Sequence, residues 1–310
     1  MLYFKPIFFA VLKVLIITFI CSLFTKSKII KEEQLESFST VLIYLFLPCL
    51  ILSNILTNFY PDSFKNWYIL PLGGIGIFLI PFFLSNLIFL KKNDKNYLIA
   101  LSTIQNAGYL ILPIGWFLFP ENPHTFTMYV LLFVLSASPI LWSIGYFLMT
   151  QRNFSKFTFI NSFKNPPFIA NIFSLFLVFT GIREKLPEFF FQIVGFLAKP
   201  AIPLALFILG ARLSLLNLKG RGKFYDALKV VLIKMVLTPL VVLIILKTTK
   251  IINDHLMKTI FILEASSPPA VGLIIQATAK RTYTDKIGFI ILICYISSIF
   301  LMPLWLSLLF

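Results

Sequence analysis

Long apolar runs, many of them long enough to cross a bilayer as a helix, alternate along this chain with short segments rich in charge, proline and asparagine. Read between those polar segments, the runs predict ten spans at 4–24, 36–58, 67–90, 97–119, 125–149, 166–182, 189–212, 226–248, 257–279 and 286–309. Most reach the ~20 residues that a hydrocarbon core requires. The sixth is short, and the seventh is long with internal prolines. The fourth and ninth carry helix breakers near their middle, Asn106-Ala107-Gly108-Tyr109-Leu110-Ile111-Leu112-Pro113 in one and Glu264-Ala265-Ser266-Ser267-Pro268-Pro269-Ala270-Val271-Gly272 in the other. Pro113 cannot donate to the carbonyl of Tyr109, and Pro268 and Pro269 cannot donate to those of Glu264 and Ala265. Lipid satisfies no such group. Irregular backbone at this depth must be buried in protein or line a polar cavity, so the matched breaks predict a transporter substrate site.

The halves of the chain echo one another. Asn93-Asp94 precedes the first broken span and Asn253-Asp254 the second. Leu47-Pro48-Cys49-Leu50 pairs with Ile202-Pro203-Leu204-Ala205, and Pro139-Ile140-Leu141-Trp142-Ser143 with Pro303-Leu304-Trp305-Leu306-Ser307. The matches keep one order at nearly constant offset, which predicts two five-span repeats, 1–150 and 166–310, joined by a cytoplasmic linker at 151–165. Five is odd, so the second repeat enters the membrane from the opposite side. The fold class expected is therefore an all-α polytopic membrane protein, ten transmembrane helices in two inverted repeats, with the broken fourth and ninth crossing. Two half-helix N-termini then face the midplane with partial positive charge, suited to a carboxylate. Two C-terminal ends with freed carbonyls suit a cation.

Composition agrees with the pattern: 310 residues, 59% hydrophobic, mean hydropathy +0.93 and only 13% charged. The formal net charge of +15 raises the question of nucleic acid, but its distribution answers it. With the N-terminus outside, seventeen Lys and Arg fall on cytoplasmic loops and flanks, among them Lys91, Lys92, Arg152, Arg212 and Arg221, against seven on the other side and three (Lys13, Lys199, Lys234) inside spans. Such asymmetry sets membrane orientation. It places both termini on the non-cytoplasmic side of the plasma (cell inner) membrane, and no nucleic-acid partner is expected. Cys21, Cys49 and Cys294 fall inside spans without metal-ligand spacing and read as packing residues. The first segment lacks a cleavage signature and reads as a mature helix.

Taken together, the Leu-Pro of span two, Asn106 and Pro113 of span four, Pro203-Leu204-Ala205-Leu206-Phe207-Ile208-Leu209-Gly210-Ala211 of span seven, the Glu-Ala-x-x-Pro-Pro-Ala of span nine and the terminal Pro-Leu-Trp make the chain resemble the auxin efflux carrier family. That family includes plant auxin exporters and bacterial carriers of malonate, malate or lactate. The resemblance implies a scaffold of spans 1, 2, 6 and 7, a transport domain of spans 3–5 and 8–10 that moves like an elevator, and a homodimer. The sodium/bile acid symporters share this architecture more remotely.

Asn106 is the prime substrate candidate, since its amide both donates to a carboxylate and accepts from a hydroxyl; capping a half-helix would use the same chemistry. Gln105, Gly108, Tyr109 and Pro113 accompany it, with Ser267, Pro268 and Pro269 opposite. Glu264 lies near the midplane, where a carboxylate must be protonated or partnered. It either couples transport, with Ser266 or Ser267 and freed carbonyls binding Na⁺ or exchanging H⁺, or pairs with an intramembrane lysine. Lys199, about 15 Å into its span at 1.5 Å per residue, is the expected partner or a direct contact for the substrate; the resembled family usually carries a small residue there. Lys234 is expected to snorkel to the interface. Gly73, Gly74 and Gly76 predict close helix packing, and Trp67, Trp116, Trp142 and Trp305 interfacial anchors. No cofactor or metal is expected.

Rival classes fare worse. A membrane enzyme needs paired intramembrane aspartates or a Ser/His couple, whereas Asp62, Asp94, Asp226, Asp254 and Asp285 sit in loops or at span ends. A channel needs a filter loop or a ring of charge, and neither occurs. The reading that results is a secondary carrier of a small carboxylate.

Overall fold

A computed structural model describes residues 4–150, 160–216, 224–249, 252–280 and 283–310. Its principal helices are α1 Phe4–Lys26, α2 Glu32–Asn58, α3 Ile69–Ile88, α4 Asn96–Thr103, α5 Ala107–Leu118 and α6 Pro123–Thr150. They continue as α7 Pro166–Phe179, α8 Glu188–Ser214, α9 Phe224–Thr248, α10 His255–Ser266, α11 Val271–Lys280 and α12 Thr284–Leu309. Among the described residues the only strand-like pairing is one isolated bridge. Seven helices among the described residues, α1, α2, α3, α6, α8, α9 and α12, are long and apolar enough to cross a membrane, and α5 and α7 are shorter apolar helices. Part of the expected linker at 151–165, with Arg152 and Lys156, lies outside the described residues, as do Lys219, Arg221, Lys223, Lys250 and Arg281.

Three prolines shape their helices in the same way. Leu42–Phe46, Ala107–Ile111 and Leu232–Leu237 are π-helical, and each is followed at its second residue by a proline: Pro48, Pro113 and Pro239. A wider turn relieves the clash of the ring with the preceding turn and redistributes the carbonyls it strands. One stranded group is the carbonyl of Met235, four residues before Pro239; the indole of Trp305 donates to it at 2.7 Å. Trp305 is therefore a buried structural donor, not the interfacial anchor its position predicts.

The same effect moves the first break. Pro113 is absorbed inside α5, Gly108 and Tyr109 are helical, and the gap lies earlier, at 104–106. Ile104 is extended (φ −89°, ψ 114°), as is Ser267 at the second gap (φ −70°, ψ 147°). The second gap falls on Ser267–Ala270, where adjacent prolines forbid two successive helical donors.

Packing sets these gaps at the centre. α1 lies on α8 and α12, α2 on α7 and α8, α3 on α4 and α6, and α10 on α9 and α12. A Cβ at Gly210 would strike the backbone carbonyl of Thr18, so α1 and α8 meet backbone to backbone. Gly73 and Gly74 fit the expected packing role, against Phe261 and against Ser136 with Phe133, while Gly76 faces open space. At the ends, Lys92 pairs with Asp226 and Lys286 with Asp94, and the Tyr129 hydroxyl donates to Asp254 at 2.7 Å. Asp254 also caps α10, accepting from the Met257 amide at 3.0 Å.

Candidate functional site: a crossing of two broken helices

The two gaps meet and complete each other. The Asn106 amide donates to the Pro268 carbonyl at 3.1 Å, and the Ala270 amide donates to the Ile104 carbonyl at 3.1 Å. Gln105 and Pro269 thus oppose one another as an antiparallel pair. Backbone groups that would be orphaned in lipid are satisfied only because both helices break at one place. The ends of α4, α5, α10 and α11 surround this point, and the N-termini of α5 and α11 bring partial positive charge to it.

Side chains from outside the crossing tie it down. Tyr295 of α12 accepts from the Asn106 side-chain amide at 2.8 Å and donates to the Pro269 carbonyl at 3.3 Å, so one hydroxyl holds both gaps. Lys234 of α9 is fully buried and donates to the Thr103 carbonyl, the open end of α4, at 3.1 Å. Ser267 returns to the Glu264 carbonyl at 3.1 Å, and Ser266 to the Ile262 carbonyl at 2.7 Å.

Glu264 is fully buried, and neither carboxylate oxygen has a hydrogen-bond partner among the described residues. The charged side chain that its electrostatic surroundings provide is Lys234, which also lies close to Cys294. This corrects two expectations. Lys234 does not snorkel; the π-turn of α9 before Pro239 packs on α4 and holds the ammonium against the open carbonyl. Nor does Lys199 reach Glu264: the regular helix stops at Ala198 and resumes at Ala201, and Lys199 is exposed with its ammonium 5.9 Å from the Phe196 ring. It borders a separate cavity of about 930 Å³ shared with Pro113, Trp116 and His124. Lys13, likewise exposed, lies 5.5 Å from the ring of Phe117, a cation–π contact.

A cavity of about 110 Å³ adjoins the crossing. Gln105, Asn106, Gly108 and Tyr109 line it, together with Ile43 and Leu47 of α2, Ser138 and Trp142 of α6, and Ala270 and Gly272. It exceeds the ~10–15 Å³ that one water needs and falls well below the ~300 Å³ of a drug-sized pocket. The expected substrate residues therefore divide. Four of them line the cavity, Pro268 and Pro269 serve through their backbones, Ser267 is buried beside them, and Pro113 and Lys199 lie on the other cavity. Lys234 and Tyr295 escaped the sequence reading as site residues; a lysine eight residues beyond Asp226 in an apolar run was the available signal for the first, and nothing local marked the second.

A chain whose described residues are mostly helical, with seven membrane-length apolar helices among them and a buried polar crossing, is an integral membrane protein of transporter type. Its sequence matches the model of the membrane transport protein family over residues 6–155 and 151–306, and the chain belongs to that family, the auxin efflux carriers. An uncharacterized transporter of Methanocaldococcus jannaschii is 25% identical over 285 residues, spanning 89% of this chain and 90% of the relative.

Proposed function

We propose that this protein is a secondary carrier of a small carboxylate, bound beside the crossing and moved by elevator-type alternating access. The observation that carries the reading is the mutual pairing of the two gaps next to a cavity lined by Gln105 and Asn106. The site offers amide donors and two helix N-termini to a small anion. In this reading α4 with α5, and α10 with α11, are the broken fourth and ninth of ten spans in two inverted repeats. Both termini face away from the cytoplasm, and two copies associate through the scaffold.

Coupling runs through Glu264. A bound Na⁺ would draw on the freed carbonyls around the crossing, yet the Lys234 ammonium already takes that of Thr103. This favours proton exchange at Glu264 over a Na⁺ site, which is the bile-acid-symporter-like alternative. Purified protein in liposomes tests the proposal: uptake of three- and four-carbon carboxylates should saturate, show trans-stimulation and respond to a pH gradient. Non-saturating flux would indicate a channel, chemical conversion of the solute an enzyme, and dependence on Na⁺ alone the alternative.

A further inference from the structure

Arg212 sits near the C-terminal end of α8, in the part of that helix that packs on α2, on the first turns of α5 and on α11. Counted from sequence it is one more cytoplasmic flank charge. In the fold it is only 6% exposed, and its guanidinium has no hydrogen-bond or ion-pair partner among the described residues. The charges within electrostatic reach are Glu32 and Glu36, exposed on the first turns of α2, and the third neighbour is Tyr109. Tyr109 in turn lines the cavity beside Asn106, and its hydroxyl likewise has no hydrogen-bond partner among the described residues.

A cation buried to this degree and left unpaired is costly, and a purely structural arginine would be saturated with acceptors. A guanidinium presents a planar fork of donors that matches a carboxylate. The cavity itself is lined by no charged side chain. We infer that Arg212, together with the Tyr109 hydroxyl, forms a second anion subsite that takes the far carboxylate of a dicarboxylate whose near carboxylate lies at Asn106. Glu32 and Glu36 balance the guanidinium at a distance while the subsite is empty. Arg212 is then the residue that selects dianions over monoanions.

This rests on the carboxylate-carrier reading, and the test separates the two. Binding of malonate, succinate and lactate to purified wild type, Arg212→Gln, Arg212→Leu and Arg212→Lys would be measured by calorimetry, with melting temperatures recorded without ligand. Arg212→Gln and Arg212→Leu should weaken dicarboxylate binding by about 10- to 100-fold and leave lactate within about threefold, with Arg212→Lys between. Their ligand-free melting temperatures should hold or rise, because an uncompensated buried charge has been removed. Equal losses for dicarboxylate and lactate, no loss for either, or a lowered ligand-free melting temperature with a rescuing lysine would make Arg212 structural and overturn the inference. Wild type that binds no carboxylate would remove the carrier reading and this subsite together.

Discussion

The two gaps solve one backbone problem with different side chains. At the first, every polar side chain is neutral: Gln105, Asn106 and Tyr109 face a cavity, and Asn106 is tethered to Tyr295. At the second, twin prolines enforce the gap, and the polar side chains Glu264, Ser266 and Ser267 are fully buried, off the cavity, with Lys234 as the nearby charge. In the proposed carrier, one gap meets solute while the other holds charge out of its path. Asymmetry of this kind lets substrate binding and coupling be altered separately, provided the shared backbone pairing survives.

The largest effect should come from the charged side. Lys234→Met would leave Glu264 without its compensating charge and the Thr103 carbonyl without its donor, and should cost about 3–5 kcal/mol of stability. Adding Glu264→Gln should recover much of that loss; denaturant unfolding in detergent measures both. Next, Asn106→Ala should lower carboxylate affinity by about 1.5–3 kcal/mol, the worth of a hydrogen bond to a charged group, with little change in Na⁺ or pH dependence. Trp305→Phe, remote from either gap, should cost about 1–3 kcal/mol by orphaning the Met235 carbonyl while leaving affinity alone. Glu264→Gln by itself should keep carboxylate affinity within about threefold and the fold intact, yet abolish the dependence of uptake on pH. Smallest of all, Lys199→Ala should change stability by no more than about 0.5 kcal/mol and leave uptake unaltered, since its ammonium is exposed over Phe196.

Much of this was legible because membrane helices advertise themselves: apolar length located the seven membrane-length helices among the described residues, and prolines marked the helices that break. Asn106 and Glu264 stood out as polar groups at the depth where polar groups are rare. The exact gap in the fourth span did not, since Pro113 could end a helix or be absorbed by a π-turn, and only packing on α6 and α8 decides between them. Lysine depth misled for a similar reason. Counting residues put Lys199 deep in its span and let Lys234 snorkel, but the interruption of α8 turns the first outward and the π-turn of α9 turns the second inward. Tyr295 gains its meaning from a partner, and Arg212 from surroundings, far away in sequence, which no local pattern encodes.

Gly108 offers the sharpest probe of whether an anion occupies the crossing. It borders the small cavity, and a Cβ there meets no heavy atom within 4 Å, so a cysteine fits. In protein with Cys21, Cys49 and Cys294 replaced, the rate at which Gly108→Cys is alkylated by a maleimide would be followed with and without a bound dicarboxylate. At about ten times its Kd the dicarboxylate should slow alkylation about tenfold, because only empty sites react, and its diamide should have no effect. Alkylation at one unchanged rate under saturating dicarboxylate would mean that the solute binds elsewhere and that the paired gaps are merely structural.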